Sequence, residues 1–256
     1  MRRYAMLALF LIVPAAAHAA AAYRATIART RRVTKPPLVA QVIADGEKRR
    51  LTYKNQPEPF SQDVLLSTDG GKTVTALNTS LRTWFALTRS GPSETDVPSS
   101  IRRVQIKDTT VSVTEEPSEP IAGYPVRKFV IHAGFTSVED YSGTKVKRIH
   151  TLTELVWTTD KLDGSLTFPR PAYTLGTRSV DDELAVKTAA ISGFVLRDVQ
   201  TISRAYEGGM PTVEITTTEV DEIRTVPSPP AADFEKPAGY INQPPIISGA
   251  PTVISH

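Results

Sequence analysis

Short apolar runs punctuated by glycine turns constrain this chain more than anything else in it. Asp45-Gly46, Asp69-Gly70-Gly71, Tyr141-Ser142-Gly143 and Glu207-Gly208-Gly209 each stand between runs of β-branched and aromatic residues. That is the pattern of successive β-hairpins. Strands are expected over residues 38–44, 49–53, 64–68, 72–77 and 81–87. Two more are expected within 101–114, meeting near Lys107-Asp108. Long strands follow over 124–132, 145–157, 194–206 and the Thr-rich stretch 213–226. Val111 and Val113 alternate with Thr110, Ser112 and Thr114, as a half-buried strand requires.

One segment reads as a helix. Ser179 is placed to cap it, with Asp182 three residues on approximating a capping box. Asp181, Asp182 and Glu183 suit the positive end of the helix dipole, and Ser192-Gly193 stops it. Residues 20–37, with the basic cluster Arg29, Arg31 and Arg32, read as an N-terminal arm or a solvated first strand, or as a contact for anionic lipid. The Pro-rich residues 242–256 are expected to be a flexible tail.

The chain opens with Arg2-Arg3 and the apolar run 6–13, then Pro14 and Ala17-His18-Ala19. This is the form of a secretory signal peptide over residues 1–19, with cleavage after Ala19 or, nearly as well placed, Ala21. The run is too short to span a bilayer, which takes roughly 20 apolar residues. No transmembrane segment is expected after cleavage. With no cysteine in the chain, disulfides, thiolate metal sites and a lipoprotein anchor are all excluded. The expected product is therefore a soluble periplasmic or secreted bacterial protein, not lipid-anchored. The formal charge of +3 includes Arg2 and Arg3, so the pI of 9.1 overstates any basic character, and nucleic acid is not an expected partner.

Four segments resemble a known family. They are the paired hairpins with Asp45-Gly46, Tyr53 and Leu65-Leu66 before Asp69-Gly70-Gly71-Lys72, and the run Gly123-Tyr124-Pro125-Val126-Arg127-Lys128-Phe129. With them come Trp157-Thr158-Thr159-Asp160-Lys161-Leu162 and Phe234-Glu235-Lys236-Pro237-Ala238-Gly239-Tyr240. Together they are similar to bacterial envelope domains of unknown function whose fold is like that of the periplasmic lipoprotein carriers LolA and LolB. The resemblance implies a mainly β (α+β) domain over residues 38–241. It would be a single curved antiparallel sheet forming an open half-barrel, with one or a few helices on its concave side. Many relatives have a Cys where this chain has Arg127, so a disulfide found in some of them is absent. The family brings no catalytic residues.

The chemistry in the sequence is sparse. His132 and His150 lie on strands expected to pair, and a one-residue change of register decides whether they share a face. No carboxylate partner accompanies them, so no metal and no cofactor is expected. No Gly-x-Ser-x-Gly elbow occurs, and an enzyme is not expected. The aromatic residues say more. Runs such as 155–157 and 194–196 are apolar on both faces, whereas a free-standing antiparallel sheet should show one apolar face. Either the helix and loops fill the concave side, or an apolar groove remains there, lined by Trp84, Phe85, Phe129, Trp157 and Phe194. The second alternative fits a non-catalytic carrier of a lipid or lipoprotein acyl chain. The first fits an interaction or envelope-sensing module that docks a protein partner by strand addition.

Overall fold

The computed structural model describes residues 20–30, 36–55, 62–87, 102–141, 143–167, 175 and 177–243. The expected signal peptide and the residues beyond Gln243 lie outside them. The strands are β1 (Ala20–Thr30), β2 (Leu38–Asp45), β3 (Lys48–Tyr53), β4 (Val64–Ser67), β5 (Val74–Asn78) and β6 (Thr83–Leu87). The long strands β7 (Arg102–Glu116), β8 (Arg127–Tyr141) and β9 (Thr144–Thr159) follow. Helix α1 (Arg178–Thr188) precedes β10 (Phe194–Tyr206), β11 (Thr212–Val226) and the short β12 (Ile241–Asn242). They form one sheet in the order β12-β6-β5-β4-β3-β2-β1-β11-β10-β9-β8-β7. Every neighbouring pair is antiparallel except β12 on β6. β12 and β7 are its two edges, so the sheet is open: the half-barrel with a helix on one face.

Local chemistry explains most of this order. Gly46 turns β2 into β3 at φ +56, a conformation that glycine adopts without strain. β7 is continuous where two strands were expected. Its register to β8 slips between Lys107 and Thr110, and Asp108 at φ +55 absorbs the extra residue in a bulge rather than ending the strand. Bulges also fall in β11 opposite Ala22–Arg24, where Glu222 takes φ +52, and in β10 after Val195; such bulges increase local twist and bend a sheet.

β1 is the first strand expected as one alternative, but it is not solvated. It lies between β2 and β11, with Ala20, Ala21, Ala22, Tyr23 and Ala25 buried. Its two faces both carry small apolar side chains, so no period-2 alternation marks it as interior. α1 begins earlier than its sequence suggests. Thr177 is the N-cap residue, and no side chain caps the helix there. Ser179 lies inside the first turn with its hydroxyl 3.1 Å from that of Thr177. Asp181 accepts the Leu175 amide at 3.0 Å, so it tethers the segment before the helix.

Two apolar clusters lie on the inner face. In the first, Val180 and Leu184 of α1 pack on Phe129, Ile131, Ala133, Phe135, Leu152 and Val156. In the second, Tyr23, Ala25, Ala40, Val42, Leu51, Phe194 and Leu196 are covered by Leu162 and Leu166 of the segment after β9. The Tyr23 hydroxyl donates to the Leu166 carbonyl at 3.2 Å, and buried Arg49 donates to that of Thr167 at 3.3 Å, fixing the segment on the sheet. A third, smaller cluster of Val64, Leu66 and Leu77, with Trp84 and Tyr240, lies on the outer face.

Candidate functional site

Strand register sets the direction of every side chain here, because neighbours in a strand face opposite ways. Trp84 pairs with Leu77, and Leu77 with Val64, so Trp84 faces outward, with Lys236 Nζ 5.3 Å from its ring. Phe85 faces inward opposite Ala76 and is half-buried at the far end of the inner face. Phe129 is buried in the cluster under α1. Trp157 faces outward between Lys128 and Arg197, which approach its ring to 5.9 and 5.2 Å. Its indole N–H donates to Ser118 Oγ at 3.0 Å. Phe194 is buried edge-on against Tyr23, with ring centroids 5.2 Å apart. The five residues do not line one surface. Two are core, one lies on β6 near the β12 edge, and both tryptophans face outward among cations.

What the inner face does hold, between the area under α1 and the second cluster, is a mixed trough. One cross-strand row is Asp198, Thr218, Ile27 and Leu38; the next contains Gln200, Thr216 and Arg29; the third contains Ile202 and Glu214. All except exposed Arg29 are half-buried. Half-buried apolar side chains thus alternate with hydroxyl, amide and carboxylate groups. The aromatic residues did not point here. The one signal in the sequence is the Thr-rich run of β11, whose even-numbered members face inward.

The two strand histidines part company. β8 and β9 pair so that His132 meets Thr153 and His150 meets Phe135. His132 faces outward and is exposed, with Nδ1 3.2 Å from Thr153 Oγ1. His150 faces inward, 5% exposed, stacked on Phe135 at 4.4 Å with Nε2 3.1 Å from Ser137 Oγ. Burial lowers its pKa below the ordinary histidine value. Arg204 and Arg148 push the same way, and Glu139 opposes them. This is a Ser–His contact, but Ser137 is fully buried and His150 Nδ1 has no hydrogen-bond partner. The arrangement therefore lacks both access and the orienting acid that an activated serine needs. Among the described residues, no group of three or more His, Asp or Glu is placed to hold a metal ion, and no helix is long and apolar enough to cross a membrane.

No family model and no curated protein matches the chain. A crystal structure from Vibrio parahaemolyticus, named as a candidate outer membrane lipoprotein-sorting protein domain, aligns over 85% of this chain and 89% of that one. It does so at 11% identity and a TM-score of 0.34, a likeness that carries no argument about what this chain binds.

Proposed function

We propose that this protein is an exported, non-catalytic binding protein that holds an amphipathic ligand, such as a lipid or a lipoprotein acyl chain, in the inner trough. The observation that carries this reading is the half-buried row Asp198, Thr218, Ile27 and Leu38 beside Gln200 and Thr216. Ligand sites combine apolar lining with a few polar groups that fix orientation. A ligand with one apolar and one polar part matches a floor of this kind. A purely polar ligand leaves Ile27, Leu38 and Ile202 wet. A purely apolar one leaves the Gln200 amide and the Thr216 and Thr218 hydroxyls facing hydrocarbon.

Native mass spectrometry of protein purified from a bacterial periplasm should show bound lipid, and a fluorescent fatty acid should bind saturably. Replacing Thr216 and Thr218 together by Trp fills the trough and should weaken that binding by about ten-fold or more, about 1.4 kcal/mol. Protein that carries no lipid and takes up no probe removes the reading.

A second reading has its own observation. Ile149, Val213 and Ile215 are 42%, 40% and 38% exposed on the outer face of β9 and β11. An apolar patch on a sheet can dock a protein partner. A photo-crosslinking residue at position 213 should then trap one envelope protein in cells, and scattered low-yield adducts would count against it.

A further inference from the structure

The two rims of the half-barrel differ in charge. One rim is formed by the β8–β9 and β10–β11 turns together with the ends of β1, β3 and β5. Four of its described carboxylates are engaged within the protein. Glu207 pairs with Lys147 and Glu139 with Arg148, Asp63 accepts from Thr79, and Asp140 accepts the Gly143 amide. Its cations are not all matched. Arg29, Lys54, Arg82, Lys145 and Arg204 are exposed and make no ion pair among the described residues. On the opposite rim the described carboxylates outnumber the cations, although Lys72, Lys161 and Lys236 there are also without an ion pair among the described residues. Asp45, Glu47, Asp69, Glu119 and Asp163 stand at its turns and loops, and Arg127 and Lys128 are paired with Asp160 and Glu116.

The basic rim also carries exposed apolar side chains. Met210 is 94% exposed and Tyr206 55% at the β10–β11 turn, and Leu81 is 49% and Ile241 68% exposed at the β5–β6 end. Arg148 lies 4.9 Å from the centre of the Tyr206 ring, so a cation and an aromatic ring share one tip.

We propose that this rim docks on the surface of an anionic phospholipid bilayer. Unpaired cations gain from the negative surface potential of such a membrane. Methionine and tyrosine side chains at the same tips enter the headgroup boundary, where tyrosine is enriched. A nucleic acid would use the cations but would leave Met210 in water. The inference stands on charge and exposure at the rim and does not depend on the trough holding a ligand.

Co-sedimentation with vesicles tests it. The probes are vesicles of phosphatidylcholine alone and of phosphatidylcholine with phosphatidylglycerol at a third of the lipid. The full exported chain should bind the second and not the first, and 0.5 M salt, which shortens the Debye length to a few ångströms, should release it. One cation is worth about five-fold in partitioning. The double charge reversal Lys145→Glu with Arg204→Glu should therefore lower binding more than ten-fold, and Met210→Asp several-fold. Lys72→Glu, on the opposite rim, should leave it unchanged. All four positions are exposed, and unchanged melting temperatures confirm that the variants are folded. Equal binding to both vesicles, an equal loss with Lys72→Glu, or binding to an oligonucleotide but to neither vesicle overturns the proposal.

Discussion

Gly193 sits between α1 and β10 at φ +95, where a Cβ would stand 2.9 Å from the Thr159 carbonyl oxygen and 3.1 Å from Asp160 Oδ1. Both the left-handed conformation and the closeness of backbone oppose any side chain. Gly193→Ala should cost about 2 kcal/mol, read as a shift of the urea midpoint at unchanged slope. His150 makes a prediction of a different kind. Its folded-state pKa lies below the ordinary value of 6.5, so on acidification the unfolded chain takes up the proton first. Stability is then flat above that value and falls as the pH drops from about 6.5 toward the folded-state pKa. His150→Gln should start less stable at pH 7, having lost the stack on Phe135, yet lose less melting temperature between pH 7 and pH 5 than the wild type. Parallel losses in the two proteins would show that another group carries the acid sensitivity. The sequence presents His132 and His150 as equivalents. A register in which even-numbered residues of β8 meet odd-numbered ones of β9 separates them, and no local pattern encodes that parity.

At the scale of elements, α1 shows how a short helix covers a wide sheet. Val180 and Leu184, four residues apart on one face, are wholly buried, while Val186 is 75% exposed. Leu184→Ala should cost about 3 kcal/mol, the usual range for a buried leucine, and Val186→Ala less than about 0.5 kcal/mol. Denaturant unfolding of both variants checks this, and similar costs would mean that the helix does not pack as described. The strands were largely legible. Asp45-Gly46 and Glu207-Gly208-Gly209 demand turns, and β10 begins and ends where its apolar pattern does. The helix start was misread: Ser179 and Asp182 look like a cap, yet the helix starts at Arg178 with Thr177 as its N-cap residue, and Asp181 is engaged instead by the Leu175 amide before the helix. The groove residues were misread for a related reason. A tryptophan next to an inward-facing residue must face outward, and which of each adjacent pair faces inward is fixed only by pairing across several strands. Trp84 and Trp157 are therefore amphipathic residues under lysine and arginine side chains, a common placement for a large ring on a wet face.

At the scale of the molecule, β1 holds the two halves of the sheet together. On one side of it lie β2 to β6 and β12; on the other lie β11 to β7. It pairs with β2 through seven residue pairs from Ala21↔Ala44 to Ile27↔Leu38. To β11 its pairing runs from Ala20↔Val226 to Thr30↔Ile215. Its buried Tyr23 also lies in the second cluster between Val42 of one half and Phe194 of the other. A chain beginning at Pro36 would expose the inward edges of β2 and β11 together, and long unpaired edges promote association. It should therefore show no cooperative thermal transition and should aggregate, whereas the chain beginning at Ala20 unfolds in one transition. Ala25→Glu tests the same point without truncation. Ala25 is 4% exposed between Ala40 and Val220, so a carboxylate there is forced into the second apolar cluster, a burial that costs several kcal/mol. If that variant melts as a single transition within a few degrees of the wild type, β1 is not the seam that its position makes it.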